Sequence, residues 1–141
     1  MTVTATQIKN ILNQSIGSMT FFKRNNSQYM DYTEGVMALQ RECDMYWFVD
    51  LMYSHMPAIV ENFQDTEEHI YFVTLDVKED HTAYFKVYRE YYDDKADKYR
   101  ECTVVEQEIP YVDLPKIELK FYLELANYTP LVFRLLLPQE H

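Results

Sequence analysis

The chain has two glycines, Gly17 and Gly35, in 141 residues. Phosphate-cradling loops and nucleophile elbows need several backbones at positive φ or in close approach to a ligand, and glycine is the residue that permits both. P-loop, Rossmann and G-x-S-x-G sites are therefore excluded. Cysteine is equally scarce. Cys43 and Cys102 lack CxxC spacing, and the opening "MTVTATQIKN" has neither the basic nor the apolar region of a signal peptide, so a reducing, cytoplasmic setting is expected. Long apolar runs are missing too: "MYWFV" and "LVFRLLL" fall far short of the roughly 20 residues of a spanning helix, and no transmembrane segment is expected. Basic charge is in short supply, with 13 Lys and Arg against 23 Asp and Glu and a net charge of −10. That balance opposes phosphate backbones and anionic membranes and attracts basic surfaces. Direct nucleic-acid and membrane binding are disfavoured, whereas a protein partner, basic or itself nucleic-acid-binding, is favoured. Solubility is the plainer consequence of the same charge.

What is present is apolar and aromatic: 48% hydrophobic residues, 13 tyrosines and 8 phenylalanines, far from the signature of disorder. A chain of this length suits one domain, residues 1–141, burying roughly two thirds of its unfolded surface. "TATQ" (4–7) fits a capping box, followed by Ile8, Ile11, Leu12, Ser15 and Ile16 at helical spacing up to Gly17. "SMTFFKRNNSQYMDY" has no sustained period and reads as an ordered connection or short strand with a turn at Asn25 and Asn26. Thr33 and Glu34 then open a continuous helix with no proline before Pro57, where a kink or a final turn is expected. It is amphipathic to about residue 44 and apolar all round beyond, a pattern of enclosure on several sides, with Trp47 and Phe48 clamping it to a sheet.

From residue 69 the period becomes two. "HIYFVTLDV" and "TAYFKVYREYY" read as a hairpin, "YRECTVVEQEI" as a third strand, "IELKFYLEL" as a fourth and "LVFRLLLP" as a fifth. The fold class is α+β: N-terminal helices packed on one face of a four- to five-stranded antiparallel meander sheet.

On a continuous helix Cys43 and Asp50 share a face and Asp50 neighbours Ser54, which would align a Cys/Asp/Ser stripe. Glu42 and Asp44 flank Cys43 and oppose thiolate formation, so a buried free cysteine is the ordinary reading. Asp50 is the one charge between Met45 and Ser54. It is expected to be a structural polar group, hydrogen-bonded, paired or at the helix margin, with a tyrosine hydroxyl or backbone amide as partner. His55, His69, His81 and His141 have no ligand spacing, although "EEH" and "EDH" at successive strands suggest a weak zinc site. No catalytic residue, metal or cofactor is assigned. Tyr88, Glu90, Tyr91, Tyr92, Asp93, Asp94 and Tyr99 interleave tyrosine with acid along the hairpin. They suit a protein-binding surface, and equally the protection of a sheet edge.

The segments "GSMTFF" (17–22), "YTEGVMAL" (32–39), "YWFVDLM" (46–52), "VDLPKIELKFY" (112–122) and "LLLPQE" (135–140) together resemble a family of uncharacterised small proteins of bacteria, plasmids and phages, a domain of unknown function. The chain departs from that pattern in lacking a glycine just before Tyr46 and in a longer tyrosine-rich region at 88–105. The resemblance implies a shared fold and a mobile-element association, with no activity to transfer. The leading expectation is a non-enzymatic acidic interaction protein, monomer or homodimer. In its sharper form it is an inhibitor occupying the nucleic-acid groove of a host defence or replication protein. The competing expectation is a small-ligand or metal-binding enzyme using Asp50, Cys43 or His55.

Overall fold

The computed structural model describes residues 3–14, 20–24 and 28–141. Ser15, Ile16, Gly17, Asn25 and Asn26, on which a helix end and a turn were expected, lie outside the described residues. Helix α1 (Ala5–Gln14) begins at the expected capping box. The Thr4 N–H donates to Gln7 Oε1 at 2.8 Å and the Gln7 N–H to Thr4 Oγ1 at 3.1 Å, satisfying two groups that a helix start leaves open. Ile8 is its fully buried residue, and the helix packs on α2.

The long helix expected from Thr33 is two helices. Helix α2 spans Glu34–Cys43 and α3 spans Tyr46–Thr66. Between them Asp44 adopts φ 54°, ψ 45°, and its N–H bonds the Gln40 carbonyl, an αL ending that asparagine and aspartate tolerate better than most residues. Cys43 and Asp50 thus sit on different helices, and the Cys/Asp/Ser stripe does not form. Pro57 is accommodated inside α3, whose chain runs on to a second αL ending at Glu67. Helix α3 buries one stripe, including Phe48, Val49, Met52, Met56, Ile59 and Phe63, and leaves Asp50, Ser54, Pro57, Ala58 and Glu61 exposed, so it is not enclosed on several sides.

The sheet has seven strands: β1 (Phe21–Phe22), β2 (Met30–Thr33), β3 (Ile70–Val77), β4 (Ala83–Asp93), β5 (Lys98–Ile109), β6 (Ile117–Tyr128) and β7 (Leu131–Leu136). Their order is β1-β2-β7-β6-β3-β4-β5. The antiparallel meander is corrected in two ways. First, β1 and β2 add two short strands between α1 and α2. Secondly, β2 pairs parallel to β7, Met30 opposite Phe133, which makes the sheet mixed. Two residues in β1 and four in β2 are too few to display a period of two. The five later strands form where alternation marked them, with Tyr71, Val73, Leu75 and Val77 buried in β3. Pairing across 88–105 is continuous apart from one irregularity at Val87/Tyr88.

Phe48 fixes α3 to the inner face, stacking on Phe121 at 4.6 Å between centroids and meeting Phe85 edge-on at 6.0 Å. Trp47 is half-buried against Phe48 and turns toward the β5–β6 connection instead, so the expected Trp47 clamp is Phe48's work. Among the described residues no helix is long and apolar enough to cross a membrane.

Candidate functional site

Period-two alternation sends half of each strand away from the helices. Registers place Phe72, Thr74 and Asp76 of β3 beside Tyr122, Lys120 and Glu118 of β6 and beside Tyr88, Lys86 and Tyr84 of β4. These side chains are half-buried or exposed. Among the described residues no helix lies over them. At one side the C-terminus folds back, with the His141 ring 5.0 Å from that of Tyr122 and its Nε2 3.1 Å from Glu124. Elsewhere the face is open, with a depression of about 270 Å³ among Thr74, Tyr84, Lys86, Tyr88, Glu118 and Lys120.

The aromatic groups on this face are ordered. Phe72 stacks on Tyr88 at 5.3 Å and meets Tyr122 edge-on at 5.5 Å, while Lys86 Nζ lies 4.8 Å above the Tyr88 ring. Burial raises the Tyr88 phenol above its ordinary range, with Glu101 adding to the effect. The face continues onto the β4–β5 hairpin, where Tyr92 opposes Tyr99 and their rings meet at 5.3 Å. Tyr99 is 69% exposed.

Charge on this face is one-sided. Registers and alternation give it eight carboxylates, on Asp31, Asp76, Glu90, Glu101, Glu106, Glu108, Glu118 and Glu124, against Lys86, Lys120 and Arg134. Two cross-strand pairs set like charges directly opposite: Asp76 with Glu118 and Glu90 with Glu101. Such pairs destabilise a sheet by about 0.2–1 kcal/mol each. A lysine lies beside each pair, Lys86 reaching Glu101 at 3.2 Å and Lys120 reaching Glu118 at 3.5 Å.

The expected hairpin residues divide between two faces. Tyr88, Glu90, Tyr92 and Tyr99 belong to the open face, while Tyr91 and Asp93 point the other way, in register with Arg100 and Lys98. Arg89 lies 5.7 Å from the Tyr91 ring. Asp93 organises the turn, accepting from the Lys95 and Ala96 N–H groups and from Arg100 Nε at 2.5 Å, and the Arg100 contact chiefly holds its carboxyl below the ordinary range. Asp94 is exposed in that turn. Strand β5 is a sheet edge, so the acid-rich hairpin also meets the requirements of edge protection.

Asp50 is paired and at the helix margin. Its partner is Arg24 Nε at 3.1 Å, not a tyrosine hydroxyl or a backbone amide, and its side chain is 68% exposed. Arg24 also donates to Gln40 Oε1 and the Tyr46 carbonyl, tying α3 to α2. His55 stacks on Phe85 and bonds Gln107, and Cys43 is buried with its thiol raised by burial and then by Glu42. Asp50, Cys43 and His55 thus have separate neighbours and share no site. His69 and His81 sit at opposite ends of β3, bonding Tyr128 and the Leu114 carbonyl respectively. The weak zinc site fails, and no group of three or more potential ligands occurs among the described residues.

Glu140 is the structural residue that motif reading passed over. Its carboxylate accepts from the Thr33 hydroxyl at 2.5 Å, the Gly35 N–H at 3.2 Å and the Leu137 N–H at 3.0 Å, so "LLLPQE" completes the cap of the helix that "YTEG" begins. A Cβ on Gly35 would lie 2.6 Å from Glu140 Oε1.

These features define an α+β protein with helices on one side of a mixed sheet and an acidic, aromatic surface left open on the other. Residues 6–141 match the Family of unknown function (DUF6876), and the chain belongs to that family. No curated protein and no solved structure matches it.

Proposed function

We propose that the chain is a non-enzymatic interaction protein whose open sheet face docks a basic protein. The observation that carries this reading is the pair of like-charge oppositions, Asp76–Glu118 and Glu90–Glu101, on a face where acids outnumber bases. A fold left to optimise its own stability would alternate the signs. A partner's Lys and Arg relieve the repulsion on binding, and Phe72, Tyr88, Tyr92, Tyr99 and Tyr122 supply ring surface of the kind favoured at interface cores. Glu106 and Glu108, two residues apart on β5, stand about 6.8 Å apart along the strand and add to a negative charge suited to a groove built for phosphates. An inhibitor of a nucleic-acid-binding protein, acting for a mobile element, is the sharper form of the reading.

The test is affinity capture from the native host with wild type and with the Glu90→Lys/Glu118→Lys variant, eluting with rising salt. Basic proteins held by wild type, released by salt and absent with the variant are expected, and duplex DNA should compete if the docked surface is a nucleic-acid groove. An identical captured set from both proteins, or none at any salt concentration, overturns the reading.

A further inference from the structure

On the helix side, where the α2–α3 junction meets the β5–β6 connection, lies a cleft of about 470 Å³. Its walls include Asp44, Trp47, Ile109, Tyr111 and Asp113, with Cys43 also lining it. Two rings and two carboxylates line one space, without a lysine or arginine among the described residues. Among the described residues neither Asp44 nor Asp113 has an ion-pair or side-chain hydrogen-bond partner. Cys43 is 3% exposed, and among the described residues its thiol makes no hydrogen bond. Burial and Glu42 keep that thiol protonated, so it brings no charge of its own. The C-terminus of α2 and the N-terminus of α3 meet at Asp44 and Met45, where their opposite end charges offset. The two carboxylates therefore set the sign of the cleft.

We propose that this cleft binds an alkylammonium cation, with Trp47 and Tyr111 against its methyl groups and Asp44 and Asp113 as counter-charge. Aromatic faces attract cations, tryptophan most strongly, and quaternary ammonium is the cation such cages take. An anion is repelled. A hard metal ion requires six or more oxygens that the lining does not offer. A neutral apolar ligand would desolvate both carboxylates without return. Tyr111 is 63% exposed and positioned by His81, whose ring lies 5.6 Å away. His81 Nδ1 is 2.9 Å from the Leu114 carbonyl oxygen, so this nitrogen carries a proton.

Trp47 is the one tryptophan of the chain, and its fluorescence reports the cleft directly. The full chain is titrated at constant ionic strength with choline and with 3,3-dimethyl-1-butanol, which replaces the ammonium nitrogen by carbon. A saturable change with choline is expected, with affinity for the alcohol weaker by about tenfold or more. Tyr111→Ala and Asp113→Asn should each weaken choline binding with an unchanged thermal transition, since both side chains are exposed. A trimethyl-lysine peptide run in parallel identifies the source: tighter binding than choline assigns a protein side chain, equal binding a free small molecule. Equal responses to choline and the alcohol, no saturable response to choline, or wild-type affinity in Tyr111→Ala overturns the proposal. The Glu90→Lys/Glu118→Lys variant should bind choline like wild type, which separates this cleft from the open face.

Discussion

At the residue scale, the contacts that settle this fold are single side chains far apart in sequence. Glu140 and Gly35 are one such pair. Alanine ordinarily replaces glycine in a helix with a gain of up to about 1 kcal/mol, yet here the added Cβ would meet Glu140 Oε1 and the Leu137 side chain at 2.6 and 2.7 Å. Overpacking of this kind costs about 1–3 kcal/mol. Gly35→Ala is therefore expected to lower stability in urea denaturation despite its better propensity. Combined with Glu140→Ala, part of the loss should disappear, because the oxygen in the way has gone; strictly additive losses would show that the two residues do not meet. Arg24 is the second case. Sequence reasoning required a partner for Asp50, and rightly, but could not name an arginine 26 residues earlier whose donors also reach Gln40 and the Tyr46 carbonyl.

At the element scale, legibility followed the length of each period. Strands β3 to β7 announced themselves by alternation, and α1 by the Thr4–Gln7 capping box that it uses. The parallel pairing of β2 with β7 is a contact across more than a hundred residues, and nothing local encodes it. The break between α2 and α3 was hidden for another reason: its left-handed residue is Asp44, not the glycine by which such endings are usually read. That choice leaves stability unclaimed. Asp44→Gly is expected to raise the free energy of unfolding by about 0.5–1 kcal/mol, since glycine takes positive φ without steric cost. Asp44→Val should lower it by at least as much. A stability loss in Asp44→Gly would mean that the carboxylate holds the junction, which would remove it as a free counter-charge in the cleft.

At the scale of the whole molecule, the question is why a chain with net charge −10 gathers acids on the one sheet face it leaves uncovered. If those acids only protect an edge strand or confer solubility, they have no reason to stand opposite one another on inner strands, yet Asp76 and Glu118 do so near the ends of β3 and β6, strands flanked on both sides. The arrangement therefore predicts a trade between stability and binding. Glu118→Lys and Glu90→Lys each turn a like-charge opposition into an attractive one, and each should stabilise the free protein by about 0.5–1 kcal/mol, most visibly at low salt. Glu118→Lys also removes the Lys120–Glu118 ion pair, but both of its side chains are solvent-exposed and such a pair is worth little. The same two substitutions should abolish capture of a basic partner. Thermal denaturation at low and high salt, read beside the capture experiment, separates the alternatives. Variants more stable and binding-deficient mark the acids as kept for a partner, whereas variants less stable mark them as part of the sheet's own hydrogen bonding and return the face to a structural role.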